Sequence, residues 1–381
     1  MFNLCSLRNL RVFLGLLALS SVLEADSPMT QPDQSSQPAG KGTSQPASQS
    51  QPAAQPAMPD WQILAAPVVE GAFVRPADAA LARPIWGHAD GLRVGLWPMP
   101  GPRGLLRIYT PYLGHDEARM INFIAVEPIL VGQHFRGFSE LEPSKLDKED
   151  GKRIWAADAP EDFSPRLPHV RPARGIITSD GDVQILQVYV MIEAFDSGAR
   201  PYLRLTFRSD RRQEVGIASF AQADSKPIGQ CIISATMGNY ARLRELHLAD
   251  KTALAGELWP AYRGNDFAPH RSFPLDQLGR KSGGELLVAA TPDEDDPASA
   301  KTDQPLGHWE YTGKKATQYW RCDKPDPALI AQVNGRFTYW RSKTPIPGGI
   351  AFENFELVQP FSPGQELWFG VTTATPEQLR K

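Results

Sequence analysis

The chain has 381 residues, of which 41% are hydrophobic and 22% charged, and its formal net charge is -3. That balance suits a globular protein with a substantial core. It argues against a nucleic-acid partner, because no part of the chain is a basic stripe able to displace phosphate counterions.

The opening stretch MFNLCSLRNLRVFLGLLALSSVLEA places Arg8 and Arg11 before an apolar run from Val12 to Leu19, and small residues lead to Ala25. This is the pattern of a cleavable signal peptide over residues 1–25. The apolar run is too short to cross a bilayer, so no transmembrane anchor is expected and the protein is expected to be secreted or periplasmic. Cys5 stands ahead of the apolar run, away from the cleavage site, which removes a lipid anchor from consideration. Residues 26–59 are rich in Gln, Pro, Ser and Ala and nearly lack large apolar side chains, so they read as a disordered linker. Residues 60–381 read as a single large domain.

The texture of that domain is one of strands. "LRVGLWPM" from Leu92, "RGLLRIYTPYL" from Arg103, "MINFIAVEPILV" from Met120 and "DVQILQVYVMIEAF" from Asp182 are short runs of β-formers bounded by Gly, Pro, Asp or Ser. The pattern continues through "RPYLRLTFRSD", "EVGIASFA", "QCIISATM" and "GELLVAAT", and it predicts an all-β fold, a large antiparallel β-sandwich with few short helices. In "RPYLRLTFRSD" Tyr202, Arg204, Thr206 and Arg208 share a wet face, while Leu203, Leu205 and Phe207 share the other. "MINFIAVEPIL" is apolar on both faces except at Asn122 and Glu127, and is expected to lie centrally. The 35 prolines oppose helix, and the best helical candidate, residues 238–259, reads equally as a strand with a bulge. TPDEDDPASAKTDQ, from Thr291, reads as an exposed acidic loop, without the spaced oxygens and central glycine of a calcium loop. Cys231 and Cys322 remain either a disulfide or two thiols.

No nucleophile elbow, phosphate loop, zincin helix or dinucleotide fingerprint is present. The histidines, His88, His115, His134, His169, His247, His270 and His308, stand singly, so neither a metal nor a cofactor is expected. What remains is carboxylates and arginines. "GQHFRGFSELEPSKLD" gathers His134, Arg136, Glu140 and Glu142, and in an extended segment the two acids would share a face about 7 Å apart, close enough to raise one pKa toward general-acid range. In "ATMGNYARLRELH" an extended Arg242 and Arg244 would form a paired clamp for a carboxylate or sugar acid, with His247 as a possible partner; if helical they diverge. In "NGRFTYWRSKTPIPGGIAFENFELV" the rings of Tyr339 and Trp340 lie near Arg336, Glu353 and Asn354, a mixture suited to carbohydrate and also to a sandwich core. Phe352 and Phe355 differ by three positions, so a bulge at Glu353 or Asn354 is needed for both to face inward; Glu356 then becomes a solvent-facing acid.

An all-β chain carrying "GGIAFENFEL", with scattered His and Glu in place of a compact motif, resembles the galactose-mutarotase-like β-sandwich proteins of secreted carbohydrate-processing systems. The resemblance implies a carbohydrate-active protein, a hydrolase, lyase or epimerase with carboxylate acid and base chemistry and a polysaccharide or oligosaccharide partner. Glu140, Glu142, Glu353 and His134 are the catalytic candidates read from the residues, and Arg136, Arg242, Arg244, Asn354, Tyr339 and Trp340 the candidates for substrate binding. The alternative is a non-catalytic glycan- or protein-binding module.

Overall fold

The period-two pattern becomes strands along almost the whole domain in the computed structural model, which describes residues 64–114, 118–165, 171–236, 242–293, 314–339 and 343–381. The expected signal peptide and linker lie outside the described residues. The first six strands, β1 (Val68–Glu70), β2 (Phe73–Arg75), β3 (Ile85–His88), β4 (Arg93–Gly95), β5 (Leu106–Thr110) and β6 (Arg119–Leu130), meander through one sheet. The next five, β7 (Ile154–Ala157), β8 (Ile176–Asp180), β9 (Val183–Ile192), β10 (Pro201–Arg208) and β11 (Glu214–Ala221), begin a second.

After that the chain alternates between the sheets. β12 (Ile228–Thr236) returns to the first, β13 (Leu243–His247) and β14 (Thr252–Leu254) join the second, and β15 (Arg271–Pro274) is again in the first. β16 (Leu286–Pro292), β17 (Thr317–Cys322) and β20 (Glu366–Thr372) belong to the second sheet, β18 (Ile330–Arg336) and β19 (Ala351–Val358) to the first. The orders are β1-β2-β3-β4-β5-β6-β12-β19-β18-β15 and β14-β13-β16-β17-β20-β11-β10-β9-β7, with β8 also on β9. These pairings are antiparallel.

Both sheets turn alternate residues into one shared core. Ile124, Val126, Ile233, Phe355 and Leu357 of the first meet Val188, Leu203, Leu205, Ile217 and Phe369 of the second. Trp320 pins the layers together, donating from Nε1 to the Phe355 carbonyl at 2.8 Å and meeting Phe369 edge-on at 5.0 Å. The expected all-β sandwich is therefore what the chain forms.

Residues 242–259 form strand, not a long helix: β13 carries a bulge between Leu243 and Glu245, β14 follows, and one helical turn, Ala255–Leu258, closes the segment. The inter-strand ladder to β16 wins over the weak helical stripe there. Cys231 lies in β12 of the first sheet and Cys322 at the end of β17 in the second, and both are free thiols. Burial pushes the Cys231 thiol up to about 12, so it is an inert thiol packed half-buried against the core.

Candidate functional site

Beyond the end of β5, residues 136–139 take up the vacated edge of β6: Ser139 N donates to the Val126 carbonyl at 3.2 Å, and Gly137 N to the Pro128 carbonyl at 3.0 Å. From that edge Arg136 reaches over the outer face of the first sheet. Its Nη1 donates to Glu127 at 2.7 Å and to Glu356 at 2.9 Å, and its Nη2 donates to Gln332 at 3.0 Å. Ser234 Oγ donates to Glu356 at 2.7 Å, and Gln332 Nε2 to Ser272 at 3.0 Å. Glu127 and Glu356 are 1% and 0% exposed, which corrects the expectation of a solvent-facing Glu356. The phase from alternation was right, but Arg136 covers that face.

Glu140 joins the same cluster. Its Oε2 is enclosed without a hydrogen-bond partner, and desolvation foremost, with the neighbouring Glu356 charge, pushes its pKa up to about 7. Burial first, then Glu356, also drives the Glu127 pKa well above the ordinary carboxylate value. Three carboxyls therefore lie around one guanidinium, which bonds two of them, and burial favours the protonated forms of Glu127 and Glu140. His270 stands on the rim within electrostatic reach of Glu356 and Arg136, its Nε2 3.3 Å from Asn334 Nδ2.

Glu142 does not accompany Glu140. Residues 138–142 turn instead of extending, with the Leu141 and Glu142 amides donating to the Phe138 carbonyl, and this corrects the expected shared face. Glu142 turns to fully buried Lys152, 3.2 Å from its Nζ, and accepts from the Asp196 amide at 2.9 Å. The raised pKa of Glu140 thus comes from burial and Glu356. His134 is exposed on the loop before Arg136.

The remaining expected residues gather elsewhere. The β19 bulge is present: Val333 pairs with Phe355 and Gly335 with Phe352, leaving Glu353 and Asn354 opposite Asn334 alone. Asn334 Oδ1 accepts from the Asn354 amide at 2.9 Å, while Asn354 Oδ1 is enclosed with no partner. Glu353 is buried near Arg336, and desolvation pushes its pKa up to about 7. Arg244 donates to the Ile350 and Pro347 carbonyls and pairs with Asp293 at 2.8 Å, while Arg242 donates to the Pro347 carbonyl at 3.4 Å; both hold the loop before β19. His247 Nε2 lies 2.8 Å from Thr291 Oγ1, away from Glu140. Tyr339 is packed with Ile346 and Ala351, and Trp340 lies outside the described residues.

Glu353 supplies a pH-dependent prediction. Its folded pKa of about 7 stands above the ordinary 4.5, so its contribution is fully present below pH 4.5 and is lost as pH rises through about 7. Relative to Glu353→Gln, the natural protein should lose on the order of 3 kcal/mol between those limits. Urea midpoints of the two proteins, measured from pH 4.5 to 8, check this; a pH-independent difference refutes it.

A second arrangement lies beside β7. Trp86, Trp97, Trp155, Arg103, Lys152 and Arg153 line a shallow concavity open to solvent, in which Trp86 and Lys152 are fully buried and Trp155 is 7% exposed. Arg103 Cζ sits 5.6 Å over the Trp97 ring, and both its Nη atoms donate to Asp147 at 3.0 to 3.2 Å. Ser139 braces the floor, its Oγ donating to the Gly104 carbonyl at 2.6 Å and its carbonyl accepting from Lys152 N at 2.7 Å. Gly104 has φ +74, and a Cβ there would fall 1.9 Å from the Ser139 carbonyl oxygen, so only glycine permits this approach.

Trp155 continues into an aromatic row on the outer face of the second sheet. It packs in one cluster with Met191, Phe163, Tyr189 and Tyr202. Tyr202 stacks on Phe220 at 5.1 Å and meets Phe163 edge-on at 5.5 Å, and Arg204 lies 5.7 Å over Phe220. These rings are half-buried, presenting edges and hydroxyl groups on the face whose wetness the alternation of Tyr202 and Arg204 predicts. The concavity itself was missed in the sequence, because Trp97 and Trp155 come from segments remote in the chain that belong to different sheets; Glu127, an acid inside an apolar run, was a readable signal.

Comparison with protein-family models, with curated proteins and with solved structures returned no match.

Proposed function

We propose that this protein is a secreted carbohydrate-binding β-sandwich that takes its glycan along the Tyr202 aromatic row and the adjoining face of Trp97. The observation that carries the reading is the half-buried row of Phe163, Tyr189, Tyr202 and Phe220, which continues through Trp155 to the concavity lined by Trp97 and Arg103. Indole faces stack on the C–H surfaces of sugar rings, and the adjoining Arg and Tyr groups bond hydroxyls.

A second reading is favoured by Glu140, whose Oε2 is enclosed without a partner and whose pKa is pushed up to about 7, one residue from the Ser139 that braces the concavity floor. In that reading Glu140 is the proton donor of a hydrolase, lyase or epimerase. Affinity electrophoresis of the mature protein in a polysaccharide panel, with product release followed in parallel, separates the two. Trp97→Ala and Tyr202→Ala are each expected to weaken retention by about tenfold, the worth of one stacking contact. Retention unchanged in both variants refutes the binding reading, and product release lost in Glu140→Gln establishes the catalytic one.

A further inference from the structure

The aromatic row ends in a pair of opposite charges that the fold leaves partly unbonded. Cross-strand register sets Arg204, Ala218 and Glu366 side by side across β10, β11 and β20, with Thr206, Gly216 and Trp368 beside them. Because Ala218 and Gly216 are small, Arg204 and Glu366 meet over the middle strand. A Cβ on Gly216 would fall 2.7 Å from Glu366 Cδ, so glycine lets the carboxylate lie against the sheet. The contact between the two charges is loose, 3.5 Å from Nη2 to Oε1, and their side chains stay 27% and 22% exposed. Among the described residues no hydrogen bond engages the Arg204 guanidinium; its Nε is enclosed, so the end that meets solvent carries the Nη atoms. Thr206 Oγ1 donates to Glu366 Oε1 at 2.7 Å and fixes the carboxylate, while no described residue bonds Oε2. Arg204 Cζ lies 5.7 Å over Phe220, which joins the pair to the half-buried row of Tyr202.

We infer that this end of the row binds two adjacent hydroxyl groups of a neutral sugar ring, Arg204 donating to one hydroxyl oxygen and Glu366 accepting from the other. The inference rests on the carbohydrate-binding reading and narrows it to neutral sugars with a free vicinal diol. Adjacent hydroxyls on a pyranose ring stand about one hydrogen-bond length apart, and each both donates and accepts. A donor and an acceptor held side by side therefore engage both at once, and the charge on each partner strengthens the bond. An acidic sugar is disfavoured, because Glu366 would face its carboxylate and the exposed Glu161, within electrostatic reach of Tyr202, adds a second negative charge beside the row. Thr206 and Gly216 hold the Glu366 carboxylate in place before the ligand arrives, so little side-chain freedom is lost on binding.

The test is affinity electrophoresis in dextran and xyloglucan, neutral polymers rich in vicinal diols, beside linear β-1,3-glucan, whose linkage leaves intact rings without one, and polygalacturonate, whose diols come with a carboxylate. Dextran or xyloglucan is expected to retain the natural protein at least about tenfold more strongly than either of the other two, and that preference should fall to within about threefold in Arg204→Gln and in Glu366→Gln. Retention by the neutral polymer should change by less than about twofold between 50 and 300 mM salt, because the ligand carries no charge. In Glu366→Gln the repulsion is removed with the acceptor, so retention by polygalacturonate should rise while that by the neutral polymer falls, opposite movements that misfolding cannot produce. Should Arg204→Gln lose its far-UV dichroism, Glu366→Gln, nearly the same in shape, decides alone. Retention by polygalacturonate or β-1,3-glucan equal to that by the diol-bearing polymers overturns the inference, and so does a preference undiminished in Glu366→Gln. If retention in either of those cases is still lost in Tyr202→Ala, the carbohydrate reading stands without this inference. Retention by none of the polymers overturns both.

Discussion

Replacing Arg107 with Met is expected to lower the unfolding free energy by about 3–5 kcal/mol, read as a fall in the urea midpoint at constant slope. Arg107 is 0% exposed in β5, and no carboxylate among the described residues bonds it. Its partners are main-chain carbonyls: Nε donates to Met99 and Pro100, Nη1 to Leu105, and Nη2 to Gly101 and Pro102, all between 2.6 and 2.9 Å. The loop 99–105 is thus wrapped around one guanidinium. It contains prolines at 100 and 102, which donate no backbone hydrogen bond, so the loop cannot organise itself as a hairpin would. Methionine fills the space but leaves the carbonyls enclosed and unsatisfied, and each such group costs on the order of 1–3 kcal/mol before the loop relaxes. Desolvation lowers the Arg107 pKa to about 10, so the guanidinium stays charged at neutral pH and the bonds remain charge-assisted. Arg107→Lys should recover only part of the loss, since an ammonium group cannot reach carbonyls on several sides of a planar fork. A midpoint unchanged in Arg107→Met would show that the loop holds itself.

Arg136→Ala is expected to cost a comparable 3–5 kcal/mol at pH 7. The variant strands Glu127 and Glu356, which are buried and have Arg136 as their shared cation. Burial already favours the protonated form of Glu127, and without the guanidinium the folded state must hold a further proton on the pair that the unfolded chain releases, at about 1.4 kcal/mol for each pH unit of difference. The sign follows: below pH 4.5 both states are protonated and the penalty shrinks, so the variant approaches the natural protein in acid and diverges from it as pH rises. Adding Glu127→Gln and Glu356→Gln to Arg136→Met should return most of the stability, because the uncompensated charge, not the lost pair, carries the cost. A penalty equal at pH 4.5 and pH 8 would contradict this account.

What the sequence determined on its own was local. Alternation in "RPYLRLTFRSD" placed Tyr202 and Arg204 on a wet face, and the three-residue spacing of Phe352 and Phe355 required the bulge that the β18 register displays. Period two is set by the geometry of the extended chain, so it survives whatever packs against it. Whether a polar face meets water is a different matter, and at Glu356 it was decided by Arg136, a residue 220 positions away. The same holds for Glu140 and Glu142, which share a segment of sequence and part at a turn. The tertiary structure alone brought Trp97 and Trp155 to one concavity and set Glu127 and Glu140 around Arg136 with Glu356. Side-chain convergence depends on strand order and on which faces are covered, and those are fixed by pairings between segments far apart in the chain, to which local propensity is blind.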